Sequence, residues 1–453
     1  MKTIKIFLLP VILLGIVSCD TNEPPPPPDG EKPTLELTLE DASCTEAWIE
    51  LTTTNLQLPA TLTLKQFNPT GDTKYQSINL NTQDSVLYID SLMPQQTYQY
   101  KASSIEYQVS SNELNITTMD TTSHNFTFET FTFGEHSHSR LNDVAIVGNE
   151  IWVVGEIYMN DSLGQPDPNP YGLIHWDGLE WNIERITAQN PSGGYSYIIP
   201  TGICAIGPTE IWLARGGVYL FNGDSITYPY WLVNYSGYNG GIFNNGESAS
   251  KLWGSSSEDL YTVGLKGALA HFNGTSWQRM ESGMDVDLFD IWGSEDGTIW
   301  TCGYSDDYST STLLRYAGMD WETVYEGNSS NQSNGFYIGP ISGVWGANKF
   351  RIYMMNWNGI YIQENSKELF LEKEIARFSD VGFGIDGTDD NNIFACGEGF
   401  VGHWNGVSYT EYPELFRDQR TFYSVKVNGN TVCAVGSDYN GFIYSQAVIA
   451  LSK

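Results

Sequence analysis

Apolar and polar residues alternate along most of this chain in runs of five to ten positions, and Gly, Asn, Asp or Pro ends each run. A period of two puts successive side chains on opposite faces, so each run predicts a half-buried strand. Seven such runs lie between Pro33 and Met119: TLELTLE, AWIELTTT, ATLTLKQF, KYQSIN, SVLYID, TYQYKASSIE and ELNITT. Seven short strands in so little chain predict a β-sandwich. After a Thr/Ser-rich link at Thr121 to Ser123 the alternation becomes part of a longer unit, which residues 253 to 277 display: WGSSSEDLYTVGLKGALAHFNGTSW. One strand ends in Trp-Gly, an acidic turn leads to YTVG, and an aromatic-Asn-Gly turn precedes a closing Trp.

That unit recurs. Its turn reads WDG, FNG, FNG, YAG and WNG, with glycines at Gly178, Gly223, Gly274, Gly318 and Gly406, at intervals of 45, 51, 44 and 88. The last interval is twice 44, so a degenerate copy is expected near Gln363 to Lys367. Three residues after each glycine stands a large apolar residue: Trp181, Ile226, Trp277, Trp321 or Tyr409. Upstream, IWVVG, IWLAR, LYTVG, IWTCG, IYMMN, IFACG and TVCAVG occupy one equivalent strand, which makes seven copies. A period of about 40 to 50 residues with up to four strands per copy predicts a β-propeller. The final copy, Phe422 to Lys453, has three strand-like runs, while FTFETFTF at Phe126 to Phe133 precedes the first. Pairing them removes an exposed edge. The expected fold is all-β: a β-sandwich, then a seven-bladed β-propeller closed by an N-terminal outer strand.

Two resemblances add to this. Leu92-Met93-Pro94-Gln95-Gln96-Thr97-Tyr98-Gln99-Tyr100 resembles the L-x-P-x-x-x-Y-x-Y signature of fibronectin type III domains, which implies an architectural corner role for Tyr98. Residues 125–453 resemble secreted bacterial propellers of the broad YVTN/WD40-like group, with their W-G, D-x-Y-x-V-G and aromatic-N-G-x-x-W repeats. Such chains are sometimes labelled glycosyltransferases. The alternating strand-helix pattern of a nucleotide-sugar fold is missing from this sequence, and so is a basic diphosphate site.

The first nineteen residues, MKTIKIFLLPVILLGIVSC, carry Lys2 and Lys5, an apolar run, and a small-residue segment ending at Cys19. This reads as a secretory signal. Ile16-Val17-Ser18-Cys19 resembles a bacterial lipobox, which implies lipidation of Cys19. The resulting division is a signal peptide at 1–18, a lipidated Cys19 with a Pro-rich linker through 32, a fibronectin type III-like sandwich at 33–119, and the propeller at 125–453. The chain is read as a bacterial lipoprotein of the cell envelope, held by its lipid at the outer membrane or cell surface. A net charge of -32 with only 22 Lys and Arg argues against nucleic acid as a partner. The remaining cysteines, Cys44, Cys204, Cys302, Cys396 and Cys433, are odd in number and scattered, so they form no disulfide framework. Cys302 and Cys396 replace a small core residue of the repeat.

Candidate chemistry is sparse. His175, His271 and His403 each precede the repeat turn, where another copy has Arg315, and so mark a structural position in separate blades. His136 and His138, near Glu135, would share one face of an extended segment, but no third ligand can be named. Ser294-Glu295-Asp296-Gly297-Thr298-Ile299-Trp300 approximates a sialidase Asp-box but is one residue short and sits between the wrong strands. Asp386, Asp389, Asp390, Asn391 and Asn392 lack the ligand order of a calcium loop and read as turn formers. With no nucleophile elbow, no catalytic residue, metal or cofactor is assigned.

Connections from second to third strand, and from blade to blade, are long and rich in aromatics, Asn, Ser and Gly, whereas the others are short. Long loops on one face of a repeat scaffold are where recognition usually resides. The candidate ligand-binding residues are Tyr195, Tyr197, Tyr230, Trp231, Tyr235, Tyr238, Tyr308, Tyr337, Trp357 and Tyr439, with Arg215, Lys266, Asn356, Asn358, Glu398 and Asn440 around the channel mouth. The leading reading is a surface recognition protein for a glycan or an extracellular or envelope protein. The alternatives are an extracellular carbohydrate-active enzyme, a glycosidase or lyase with carboxylates at the channel mouth, and an envelope assembly scaffold. The anchor can be tested directly: Cys19→Ala is expected to leave the protein unlipidated and released, or held as precursor. Fractionation after a high-salt wash checks this, and persistent membrane association would rule out the lipobox.

Overall fold

The structure, a computed structural model, describes residues 32–190, 192–234, 240–294, 296–329, 338–348, 351–364, 371–439, 441 and 444–452. Contacts divide the chain into two compact units. One takes in residues up to Glu40, Trp48–Leu87 and Tyr98–Ile116; the other takes in Asp41–Ala47, Tyr88–Thr97 and Thr117–Lys453. The expected lipidation residue, Cys19, lies outside the described residues.

The N-terminal strands form two antiparallel sheets. Thr34–Ala42, Ala47–Thr54 and Asp84–Ile89 make one; Thr73–Leu80, Ala60–Phe67 and Thr97–Ser104 are the body of the other, to which Leu114–Thr117 and a short Val109–Ser110 add. Alternation explains the burial. Along Thr97–Ser104, Tyr98, Tyr100, Ala102 and Ser104 are buried while the residues between them are not. Trp48, Leu51, Leu62 and Ile116 complete this core.

Among the described residues the larger unit contains seven four-stranded antiparallel sheets, numbered I to VII. Their first strands are Arg140–Val147, Gly202–Gly207, Ser248–Ser256, Asp287–Gly293, Ile341–Asn348, Gly382–Asp389 and Arg420–Asn428. Each sheet contacts the next through these strands, and the first strand of sheet VII contacts that of sheet I, so the series closes into a ring. Sheet VII draws its outermost strand from the other end: Phe128–Phe133 pairs antiparallel with Gln446–Ser452, from Ala447 opposite Phe133 to Ser452 opposite Phe128.

The cores lie between neighbouring sheets, because one sheet cannot shield both of its faces. Trp212, Phe272 and Trp277 pack between sheets II and III, with ring centroids 5.3 Å apart for Trp212 and Phe272 and 6.3 Å for Trp212 and Trp277. Between sheets VII and I, Cys433, Val435 and Ile449 meet Leu141, Val144 and Val153. Cys302, Cys396 and Cys433 are fully buried free thiols on second strands, and burial pushes each thiol pKa upward. They act as small apolar fillers.

Trp277 closes the repeat unit and is 7% exposed. Trp277→Ala is expected to cost about 3 to 5 kcal/mol, measured by equilibrium denaturation. A loss below about 0.5 kcal/mol, the surface range, would show that the residue does not fill the gap between the sheets.

Candidate functional site

Six of the seven first strands carry the same irregularity. Their pairing with the second strand skips one residue: Asn142, Ser250, Phe289, Ser342, Phe383 or Tyr423. Such a bulge frees a side chain from the ladder and re-aims it. All six line one cavity of about 280 Å³, together with Arg140, Thr201, Leu265 and Tyr304. Sheet II has no bulge at the equivalent place, where Gly202 and Ile203 pair consecutively with Ala214 and Leu213. Leu265 and Tyr304 end second strands, so the cavity opens on the side of the second-to-third connections, the side of the long loops.

The floor is charged. Lys251 Nζ lies 2.7 Å from Asp143 Oδ1 and 4.0 Å from Asp290 Oδ1. Ser424 Oγ donates to Asp143 Oδ1 at 2.7 Å, and Lys426 Nζ donates to Asp386 Oδ1 at 3.0 Å. Each carboxylate also accepts a peptide N–H from the following sheet: Ile203 to Asp143 at 3.0 Å, Val344 to Asp290 at 3.0 Å, and Val427 to Asp386 at 2.7 Å. Below the floor a second cavity, about 250 Å³, shares Lys251, Asp290 and Lys426 and is flanked by Trp253, Trp292 and Trp345. Burial raises the pKa of Asp290 against the pull of Lys251 and Lys426, and burial likewise raises that of Asp386 against Lys426. For Lys426 burial works downward, but Asp386, Asp290 and Asp143 together raise its pKa, so it stays an ammonium.

Aromatic rings form part of the rim. Phe289 stacks on Tyr304 with centroids 4.3 Å apart, and Phe383 faces Tyr423 at 5.8 Å. Trp357 meets Tyr304 at 6.0 Å and Tyr308 at 4.7 Å. Burial, with Tyr308 adding to it, pushes the Tyr304 phenol up to about 12. Phe289 and Tyr423 nevertheless stay 38% and 36% exposed. Rings held open to solvent beside neutral hydrogen-bonding groups suit a stacked ligand.

Several residues singled out from sequence fall elsewhere. Tyr308 and Trp357 join the rim cluster. Tyr195 and Tyr197 are exposed on a separate hairpin, Thr187–Gln189 with Tyr195–Tyr197. Tyr230 packs on Trp212, Phe272 and Trp277 in the core between sheets II and III. Half-buried Trp231 follows it. Asn356 is fully buried: its amide donates to the Ile338 carbonyl and its Oδ1 accepts the Asn358 and Gly359 N–H groups at 2.8 Å each. It is a turn former facing inward. Arg215, Lys266, Asn358 and Glu398 are exposed, and Lys266 N–H donates to Asp287 at 2.8 Å. Tyr439 sits beside His138, centroids 5.5 Å apart. Tyr235, Tyr238, Tyr337 and Asn440 lie outside the described residues.

The histidines resolve into structure. His175 stacks on Trp152 at 3.6 Å and reaches Glu150 at 3.2 Å; His271 stacks on Tyr261 at 4.3 Å and reaches Asp259 at 2.7 Å. His403 stacks on Phe394 at 4.5 Å, and the Arg315 guanidinium lies over Trp300 at 5.6 Å in the corresponding place. His136 and His138 do not share a face. Ser137 between them has φ 56°, His136 Nε2 donates to the Met159 carbonyl, and His138 Nδ1 accepts the Ser445 N–H. Among the described residues no group of three or more His, Cys, Asp or Glu is placed to hold a metal. In the Asp-box-like stretch, Asp296 accepts the Thr298 N–H at 3.0 Å and closes a turn. Asp386 corrects the turn reading: it lies on the first strand of sheet VI and lines the second cavity, whereas Asp389 ends that strand opposite Asn392 and Asp390 and Asn391 make the turn.

No family model matches the chain. Among curated proteins, 71 residues are 32% identical to the immune protein Tsi7 of Pseudomonas aeruginosa, covering 16% of this chain and 22% of that one. The chain thus spans about a fifth of that relative's length. Among solved structures, YCF48 bound to D1 peptide superposes with TM-score 0.50 at 13% identity, over 73% of this chain and 97% of that one. The ring is a β-propeller. The extracellular domain of the putative hybrid two-component system BT4673 from B. thetaiotaomicron has TM-score 0.46 at 11% identity, over 72% of this chain and 40% of that one.

His403 generates a pH prediction for the propeller. It is fully buried, and burial, reinforced by His124 at 2.9 Å, pushes its pKa down from 6.5 to about 3. Unfolding exposes an imidazole that protonates near 6.5, so the unfolded state binds more protons below that pH. The contribution to stability is full above about 6.5 and is lost as pH falls toward 3, by up to about 1.4 kcal/mol per unit. Denaturant melts between pH 7 and 4 are expected to show this slope, and His403→Gln to flatten it. An unchanged slope in the variant would assign acid sensitivity elsewhere.

Proposed function

We propose that this chain is an envelope-anchored, surface-exposed recognition protein. Its seven-bladed propeller binds a glycan or protein ligand at the channel mouth on the long-loop face. Cys19 carries the lipid anchor, and a fibronectin type III-like domain lies between anchor and propeller. The observation that carries this reading is the convergence of six bulge residues on one open cavity, where Phe289 and Tyr423 stay partly exposed. A fold optimised only for stability would cover them. The similar propeller YCF48, solved bound to a peptide, supports the protein arm. A glycosidase reading needs two carboxylates able to act as acid and base. Two of the three in the channel, Asp143 and Asp386, are already committed to lysines.

Binding of the purified protein to glycan arrays and peptide libraries tests the proposal. Phe289→Ala and Tyr423→Ala are each expected to weaken the bound ligand about tenfold or more, as buried stacking contacts do, while the melting temperature stays within a few degrees. Unchanged affinity in both variants would place the site elsewhere. Release of reducing sugar from a bound glycan would favour the enzyme reading.

A further inference from the structure

We infer that the channel mouth takes an acidic sugar, a hexuronate unit whose carboxylate is held by Arg140. This rests on the recognition reading above and names the class of ligand. Of the three cations that line the mouth, two are already engaged: Lys251 lies 2.7 Å from Asp143, and Lys426 lies 3.0 Å from Asp386. Asp290, the one carboxylate in that lining, takes the Val344 N–H and has Lys251 4.0 Å away. Arg140 differs. It begins the first strand of sheet I, is exposed, and makes no ion pair or side-chain hydrogen bond among the described residues. Glu156 stands opposite it in the strand register, but Glu156 Oε1 accepts the Tyr158 hydroxyl instead. A guanidinium presents a planar fork of donors that fits a carboxylate through two parallel hydrogen bonds.

The neutral groups near this fork are mostly acceptors. Thr201 spends its hydroxyl hydrogen on the Ser250 carbonyl at 3.0 Å, and Asn142 spends one amide hydrogen on the Pro200 carbonyl at 2.9 Å. Thr201 keeps oxygen lone pairs for a ligand, and Asn142 keeps its Oδ1 and one N–H. Sugar hydroxyls donate to such oxygens, and a sugar's C–H face lies on open rings. Tyr423 supplies one ring from sheet VII, the neighbour of sheet I, and Phe289 supplies another from sheet IV. A basic side chain would meet Arg140. The side-chain carboxylate of a peptide would fill the fork but bring no hydroxyls to the oxygens around it. A cavity of about 280 Å³ is at the small end for ligand sites, which suits a single sugar unit. The chain's net charge of -32 repels a dense polyanion, so the fit is to one uronate among neutral sugars.

The test uses the full chain in calorimetric titrations with methyl glucuronide and methyl galacturonide, each beside its uronamide and its parent glycoside. At least one uronide is expected to bind about tenfold or more tightly than both of its neutral counterparts, the scale of a charged hydrogen-bonded pair. Arg140→Gln is expected to bring that uronide down to the level of the amide, with the melting temperature and the binding of the neutral glycoside unchanged. Phe289→Ala is expected to weaken all three alike. A uronide no tighter than its amide, or a preference that survives Arg140→Gln, would overturn the acidic-sugar assignment; if Phe289→Ala still abolishes binding, recognition at the mouth stands. Binding indifferent to both variants would overturn both readings. No uronide binding up to about 10 mM, below any useful affinity, also overturns the assignment, and capture of an acidic peptide that is lost in Arg140→Gln would then give the fork to a protein carboxylate.

Discussion

Everything in the larger unit depends on ring closure. A four-stranded sheet of this kind is apolar on both faces and gains burial only from neighbours on either side, so an open series would leave two faces and one edge in water. The chain resolves this by setting Phe128–Phe133 against Gln446–Ser452. The first strands then converge on one axis, and side chains from distant parts of the chain meet around it.

At the axis the carboxylates hold sheets together and also set the electrical character of the channel. Asp143, Asp290 and Asp386 each reach across a sheet boundary to a peptide N–H. Charge-assisted hydrogen bonds of this type are stronger than neutral ones. Lysines on sheets III and VII answer two of the three charges. The bulge just before Asp143, Lys251 or Asp290 aims one residue toward the mouth and lets the next become floor, so rim and floor arise from a single local irregularity.

Local features were legible in the sequence. The aromatic-Asn-Gly turns were readable because one side chain makes them: Asn222, Asn273 and Asn405 each accept two following N–H groups through Oδ1. The strands followed from alternation, and the histidine position from its repeated place before the turn. The channel floor was not legible. Its charges lie on sheets I, III, IV, VI and VII, and only closure brings them together. A signal existed in five of the seven first strands, a charged residue set among apolar ones, as in LNDVAIV, SKLWG and YSVKV. Asp386 was hidden because its neighbours Asp389 and Asp390 made the whole run look like a turn. Asn356 failed in the opposite direction: a polar residue beside a predicted mouth proved to be fully buried in its own turn.

A bulge residue has no partner in the strand ladder, so its identity is decoupled from pairing stability. The six positions around the mouth already differ from sheet to sheet: Asn142, Ser250 and Ser342 are small and polar, while Phe289, Phe383 and Tyr423 are aromatic. All three aromatics fall on sheets IV, VI and VII, with Ser342 of sheet V set between them. The repeated sheets can therefore differ at the rim while the cores between them keep one apolar character. The chemistry of the mouth can thus change by point substitution, without insertions and with the strand ladder left intact.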